Sequence, residues 1–206
     1  MLERTTALRQ PADALGPRAH RTIARIIDAT REVFLTRGYA GTTVDEIARV
    51  AGVSRASFYT YFATKREVLL TVGEESAQRS MALIEQLPDA GPTHRGLADW
   101  VGRYFDHLDV HGSFAFAWTQ AAHEDEAIRV AGMRRHLALC RRLGNLLAGT
   151  AGRTPADPAP LGLLASAALE RSWDYQQLYA DTIERKAIVA QVTATLWAGA
   201  RQTAPA

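Results

Sequence analysis

The chain has 206 residues, 47% of them apolar and 22% charged, a composition typical of a globular protein that buries a sizeable core. It lacks the roughly 20 consecutive apolar residues of a membrane span and the apolar segment of a secretory signal. Its single cysteine, Cys140, excludes an internal disulfide. We therefore expect a cytoplasmic protein without a membrane segment. The net charge of +2 is unevenly distributed. Residues 1–70 carry 11 basic and 7 acidic side chains, and the remainder carries 13 basic and 15 acidic ones. This distribution indicates either a polyanion-binding face or an ordinary solvated surface.

The N-terminal segment contains Pro11, Gly16 and Pro17 and shows no periodicity, which predicts a flexible arm at residues 1–17. Arginines of this arm could reach a DNA groove, and simple disorder is the alternative. From residue 18 to residue 37, apolar side chains recur at i, i+3, i+4 and i+7. This spacing predicts an amphipathic helix, which Gly38 ends.

Two short helices are predicted next. Thr43 is a good N-cap, Glu46 completes a capping box, and Gly52 tolerates the left-handed conformation that ends a helix. Ser54 caps a second short helix that runs to about residue 61. Helices of about eight residues are unstable alone, so these two have to pack on each other and on the first helix. The pattern predicts a three-helix helix-turn-helix domain at 18–65, and a helical bundle of another function satisfies the same geometry.

The remainder of the chain shows helical periodicity throughout. Thr64 and Glu67 form another capping box and open a helix that runs to about residue 87, where prolines and glycine break the chain. Five further helices are predicted, at about 93–108, 113–122, 124–148, 161–179 and 182–200. The side chains predicted to face inward from the helix at 124–148 are Ile128, Met133, Leu137, Cys140 and Leu143. No alternating strand pattern is found, so we expect an all-α fold of about nine helices.

The most specific signal lies between Gly38 and Lys65. Its residues are Gly38-Tyr39-Ala40-Gly41-Thr42-Thr43-Val44-Asp45-Glu46-Ile47-Ala48, then Ala51-Gly52-Val53-Ser54, then Phe58-Tyr59-x-Tyr61-Phe62, and Lys65. They resemble the DNA-binding signature of the TetR family of transcriptional regulators, and the resemblance covers about residues 20–70. It implies a homodimer that represses transcription from a palindromic double-stranded DNA operator and is released by a small molecule held in a C-terminal domain.

The outer face of the second short helix is expected to contact DNA. Arginine pairs with guanine through two hydrogen bonds, and hydroxyl groups bond to phosphates or base edges. The resemblance implies phosphate contacts for Thr43, Ser54, Tyr59 and Lys65 and base contacts for Arg55 and Ser57. The candidate DNA-binding residues are Thr43, Ser54, Arg55, Ser57, Tyr59, Thr60 and Lys65. Ala56 stands where many family members have glycine, a departure that could alter how closely this helix approaches the groove.

Residues 66–206 are expected to form a ligand-binding and dimerisation domain, with the dimer contact at about 161–200. Aromatic side chains are dense in its middle helices, and they form either core or the lining of a pocket for a mainly apolar small-molecule effector. The candidate pocket residues are Trp100, Tyr104, His107, Phe114, Trp118, Trp173 and Gln176. Further polar candidates are His111, Gln120 and His123.

Other classes of function have little support in the sequence. It shows no glycine-rich phosphate loop, nucleophile elbow or paired metal motif, so we predict no enzymatic activity, no cofactor and no metal. His107 and His111 have a spacing that could share a metal, but Gly112 follows directly. A DNA-binding protein controlled by a protein partner is the alternative to a ligand-responsive repressor.

Overall fold

The computed structural model describes residues 15–202, apart from the side chains of residues 35, 113–117 and 119. Over this range the fold is all-α, as predicted, with no β-strand. Most of the predicted arm, residues 1–14, lies outside the described residues. None of the described helices combines the length and the apolar character needed to cross a bilayer.

The described residues contain nine α-helices. They are α1 (Pro17–Arg37), α2 (Val44–Ala51), α3 (Arg55–Tyr61), α4 (Lys65–Glu85), α5 (His94–His111), α6 (Ser113–Glu124), α7 (Glu126–Gly149), α8 (Ala159–Leu178) and α9 (Arg185–Arg201). A short 3-10 helix, Leu87–Ala90, follows α4. The boundaries predicted from the sequence differ from these by three residues or fewer, as expected for frayed helix ends.

The predicted N-caps form. The Thr43 hydroxyl oxygen accepts a hydrogen bond from the Glu46 backbone N–H at 3.2 Å, and that of Ser54 accepts one from the Ser57 N–H at 3.0 Å. The Glu46 carboxylate does not return to Thr43, because it forms an ion pair with Arg37 at 2.9 Å instead. The first capping box is therefore only half formed, and the ion pair connects α2 to the end of α1.

By packing, the chain divides into two units. The first takes the described residues up to Ser76 together with Ser113–Gly132, and the second takes Ala77–Gly112 and the described residues from Met133 onward. Helix α6, which the sequence assigned to the C-terminal domain, therefore packs in the first unit, where it contacts α1. The functional boundary predicted between residues 65 and 66 is a separate matter and stays a prediction.

Helices α1 to α3 of the first unit share one apolar core. Ile26, Ile47, Phe58 and Phe62 are fully buried in it, so the two short helices gain the packing that they need to be stable. Gly52 adopts the predicted left-handed conformation, with φ 62° and ψ 37°, at the turn between α2 and α3. A second cluster of this unit is made of Phe34, Tyr39, Leu69, Ala121 and Ile128, with Trp118 packed against it.

The second unit is built around α5, which packs against both α8 and α9. Its core includes Trp100, Tyr104 and Phe105, all buried. Helices α7 and α8 cross with almost touching backbones. A Cβ atom added to Gly162 would lie 1.6 Å from the Cys140 carbonyl oxygen, so only glycine fits at this crossing.

One part of the predicted core is wrong. Met133 and Leu137 were expected to face inward from α7, but both side chains are exposed. The other predicted residues of this helix, Ile128, Cys140 and Leu143, are buried as expected, together with Leu139 and Leu147.

Candidate nucleic-acid interface

Helix α3 turns one face to the core and the other to solvent. Phe58 is fully buried on the inner face. The candidate DNA-binding residues of this segment are all exposed or partly exposed, namely Ser54, Arg55, Ser57, Tyr59 and Thr60. The structure therefore brings the predicted outer face together as one continuous surface of the helix.

The candidate hydroxyl groups differ in the hydrogen bonds that they can still form. Ser54 and Thr43 use their hydroxyl oxygens as acceptors for N–H groups, so each O–H remains a donor that suits a phosphate oxygen. Thr60 uses its O–H to donate to the Ala56 carbonyl at 3.1 Å. Ser54 and Thr43 are therefore better placed than Thr60 to donate to DNA.

Arg55 is held from two sides. Its Nη1 atom donates to the Asp45 carboxylate of α2 at 2.9 Å, and its guanidinium lies over the Tyr59 ring, 5.6 Å from the centroid. Hydrogen bonding to Tyr59 and the charge of Asp45 raise the pKa of Arg55, so the guanidinium stays charged. The side chain is still 62% exposed and accessible to a nucleic acid.

Lys65, at the first position of α4, ties the helix-turn-helix to the segment before it. Its Nζ atom donates to the backbone carbonyls of Tyr39 at 2.8 Å and Thr42 at 2.9 Å, and it lies 4.4 Å from the centroid of the Tyr39 ring. Burial lowers the pKa of this ammonium group. Two of its three N–H donors are thus committed within the chain, and one is left for the predicted phosphate contact.

Three candidate pocket residues lie together on α5 of the second unit. The rings of Trp100 and Tyr104 are 5.2 Å apart, and those of Tyr104 and His107 are 5.9 Å apart. Each polar group has a partner. The Trp100 N–H donates to the Leu83 carbonyl at 2.9 Å, His107 shares a 3.0 Å hydrogen bond with Ser80, and the Tyr104 hydroxyl also bonds to Ser80. Burial lowers the pKa of His107, which favours its neutral form.

Two further candidates lie on α8 of the same unit. Trp173 is buried, and its indole N–H donates to the Asp109 carboxylate at 2.8 Å. Gln176 is half-buried, and its side-chain oxygen accepts a hydrogen bond from the neighbouring Gln177 at 3.2 Å.

The remaining pocket candidates lie elsewhere. Trp118 belongs to the first unit and packs so tightly on Gly132 that a Cβ atom there would be 2.0 Å from its ring. The side chain of Phe114 lies outside the described part of the chain. Gln120 has a structural role, because its carbonyl oxygen accepts the Tyr39 backbone N–H at 3.1 Å.

Sequence reasoning missed a polar cluster inside the second unit. The Ser166 hydroxyl donates to Glu170 at 2.9 Å, and His136 lies 3.4 Å from Ser166 and 3.5 Å from the Cys140 sulfur. Burial raises the pKa of Glu170, and burial beside Glu170 raises that of Cys140 to about 11, so the thiol stays protonated. Two polar pairs at i, i+4 on otherwise apolar helix faces were the signal that could have revealed it.

The described residues contain no ready site for a metal ion. Within residues 15–202, no group of three or more His, Cys, Asp or Glu side chains is arranged to hold a metal ion. The rings of His107 and His111 do lie close together, with centroids 4.9 Å apart. Two imidazoles alone supply half of the four ligands that a structural zinc site needs.

Comparison with known proteins identifies the helix-turn-helix. Residues 26–72 match the family described as "Bacterial regulatory proteins, tetR family". A segment of 54 residues is 50% identical to the HTH-type transcriptional regulator SrpR of Pseudomonas putida, and covers 26% of this chain and 25% of SrpR. Residues 26–72 therefore carry the DNA-binding segment of the TetR family. The chain spans only a quarter of the length of SrpR in this match, so likeness at this level is confined to that segment.

Solved structures extend the likeness to the whole fold. The fatty acid degradation regulator FadR of Bacillus halodurans superposes with a TM-score of 0.71 at 22% identity, over 92% of this chain and 99% of FadR. LfrR of Mycobacterium smegmatis, a TetR-like regulator solved in complex with proflavine, gives 0.66 at 21% identity, over 89% of this chain and 98% of LfrR. At such identities the comparison shows that this chain shares their fold.

Proposed function

We propose that the protein is a homodimeric transcriptional repressor that binds a palindromic operator through α3 and releases it when a small, mainly apolar molecule binds the second unit. The observation that carries the proposal is the outer face of α3, where Arg55 and the Ser54 hydroxyl are exposed above a fully buried Phe58. An arginine on such a face suits the major groove, where it reads guanine. A protein with this function works in the cytoplasm, where bacterial DNA lies.

Phosphate contacts support the same docking. The N-terminus of α2 presents the Thr43 hydroxyl and a partial positive charge, which favour a phosphate group. The N-terminus of α4 presents Lys65. These positions flank α3 in the chain, so contacts to the backbone of DNA would fix the register in which Arg55 and Ser57 meet base edges.

A second copy of the chain is the partner we propose for the outer face of α8 and α9. Leu164 and Leu178 are each 70% exposed, and contiguous exposed apolar side chains mark interaction surfaces. The exposed apolar residues of this face are Leu163, Leu164, Ala167, Tyr175 and Leu178 on α8 and Ala187, Ala190, Ala194 and Ala198 on α9. Small side chains on α9 permit close helix packing, and two linked DNA-binding units bind far more tightly than one.

Ligand control is proposed to act on the distance between the two DNA-binding units. DNA selects the dimer conformation in which the α3 helices lie about 34–36 Å apart, one turn of the duplex. A ligand that prefers another spacing weakens DNA binding by its differential affinity for the two conformations. Helices α4 and α7 each contribute residues to both units and connect them.

The ligand is proposed to contact the aromatic side chains of α5 and α8, Trp100, Tyr104 and Trp173. A neighbour of the same fold is bound to proflavine, an aromatic compound, and another is a regulator of fatty acid degradation. Thermal unfolding with proflavine and with a long-chain fatty acid tests this, and a ligand at 100 times its Kd is expected to raise Tm by about 5–10 °C. If only strongly charged, hydrophilic compounds stabilise the protein, a mainly apolar ligand is wrong.

DNA binding is tested by selecting duplexes from a random library with the wild-type protein and measuring affinity by gel shift. Tyr59→Ala is expected to weaken binding to selected and scrambled duplexes alike, and Arg55→Ala to reduce mainly the preference for the selected one. Arg103→Ala, which removes an exposed arginine of α5, is the matched control. Unchanged binding of both duplexes by the α3 variants contradicts the proposal.

A further inference from the structure

The contact between Asp45 and Arg55 joins the two helices of the helix-turn-helix at their surface. The Arg55 Nη1 atom lies 2.9 Å from each of the two carboxylate oxygens of Asp45. Asp45 is on the first turn of α2 and Arg55 begins α3, so the contact spans ten residues of chain. Both side chains are more than 60% exposed.

Stability does not account for this contact. Exposed ion pairs contribute on the order of 0–1 kcal/mol, because water screens the charges and two long side chains lose rotamer freedom. A carboxylate on the surface that faces DNA also repels phosphates, which weakens association with any duplex. The presence of Asp45 on this surface therefore calls for a benefit that appears when DNA is bound.

We infer that Asp45 is a positioning residue that fixes the guanidinium of Arg55 for reading one base pair; this rests on the proposed DNA-binding function. A free arginine side chain is flexible, and it loses that freedom when it forms two hydrogen bonds to guanine. Asp45 holds one edge of the guanidinium and the Tyr59 ring lies against its face, so the side chain is ordered before DNA arrives. The N–H groups of the fork that bond neither Asp45 nor Tyr59 stay available to a base.

Asp45 also acts against wrong partners. Where Arg55 does not meet a guanine, the carboxylate remains close to the duplex with less compensation for its repulsion of the phosphates. This repulsion by Asp45 thus lowers the affinity of the protein for every DNA sequence and increases the difference in affinity between sequences. Removing Asp45 should weaken binding to the preferred duplex, because Arg55 is no longer positioned, and strengthen binding to other duplexes, because the repulsion is lost. A purely structural role of Asp45 predicts no such opposite changes.

The test uses the full-length protein, the duplex that the wild type selects from a random library, and a scrambled duplex of equal length. Asp45→Ala is expected to bind the scrambled duplex as tightly as the wild type or more tightly, while the ratio of the two affinities falls about tenfold, within the range of one lost arginine–guanine pair. Asp45→Asn keeps an acceptor without the charge, so it should retain more of the ratio. Asp28→Ala removes an exposed carboxylate of α1 that pairs with the largely buried Arg31, and it should leave the ratio unchanged.

Two results overturn the inference. If the ratio is unchanged in Asp45→Ala, or if Asp45→Ala lowers it equally in an Arg55→Ala background, Asp45 does not act through Arg55. Nuclear magnetic resonance of the Arg55 side-chain N–H in the free protein gives an independent measurement, and its order parameter should fall in Asp45→Ala. A wild-type protein that selects no sequence while the Arg55 side chain is ordered by Asp45 contradicts the proposed function rather than the contact.

Discussion

The ammonium group of Lys65 and the backbone carbonyl of Tyr39 form a hydrogen bond of 2.8 Å, which links the first residue of α4 to the segment that follows α1. A second bond, to the Thr42 carbonyl, makes Lys65 a bridge inside the first unit. A residue that the family resemblance associates with DNA thus also holds together the fold that presents α3.

Replacing this lysine is expected to destabilise the protein. Lys65→Met leaves two carbonyl groups without their charged donor, which should cost about 1–3 kcal/mol in the free energy of unfolding. Chemical denaturation measured by circular dichroism gives this value. Lys186→Met, at an exposed position of α9, is the control and should change stability little. Equal effects of the two substitutions would show that the Lys65 bonds do not stabilise the fold.

Gly52 is expected to tolerate no side chain. Its φ of 62° is unfavourable for other residues by roughly 1–2 kcal/mol, and an added Cβ would lie 2.5 Å from the Arg25 Nη2 atom, which donates to the Gly52 carbonyl. Gly52→Ala should lower Tm and weaken DNA binding. Gly102→Ala lies within α5 with open space around it, and it should stabilise the protein by about 0.5–1 kcal/mol. A neutral Gly52→Ala contradicts the geometry of the turn.

Glu170 gives the second unit a pH dependence. Burial raises its pKa above the ordinary value, so the folded state holds the proton more tightly than the unfolded chain. The stabilisation that this difference in Glu170 pKa gives is complete at a pH below the pKa of Glu170 in the unfolded chain. It is lost as the pH rises through the pKa of Glu170 in the folded protein. Glu170→Gln should therefore raise Tm more at about pH 8 than at about pH 5. Glu32→Gln, at an exposed site on α1, should show no such difference.

The exposed face of α8 is expected to hold the dimer together. Leu164→Glu and Leu178→Glu place a charge in an apolar contact, where desolvation costs several kcal/mol, and should convert the dimer to monomers. Analytical ultracentrifugation at micromolar concentration measures this. Val110→Glu is the matched control, since Val110 is a 66% exposed apolar residue on α5. Dimers that persist in both leucine variants would place the interface elsewhere.

Local rules predicted much of this molecule and long-range packing decided the rest. The N-caps Thr43 and Ser54 and the turn at Gly52 follow from neighbouring residues, and all three form as expected. Which face of a long helix is buried depends on distant partners, so the inward placement of Leu137 on α7 was wrong. Trp118 likewise has ordinary helical spacing, and only the fold shows that it packs on Gly132.

The contacts of the candidate site show the same division. The exposure of Arg55 follows from helix periodicity, but its bond to Asp45 crosses from one helix to another and has no signature in spacing. The cluster around Glu170 depends on α7 and α8 lying side by side. Pairwise contacts between helices require the crossing geometry, which a pattern of apolar residues leaves open.

The glycine contact between α7 and α8 limits how the second unit can respond to a bound molecule. With the Gly162 position so near the Cys140 carbonyl, a side chain on either helix has no room to pass the other backbone there. We therefore expect the two helices to rotate about this contact more readily than they slide past each other. A molecule that enters this unit between α7 and α8 would then move the two helices least at the glycine contact and most at the positions farthest from it.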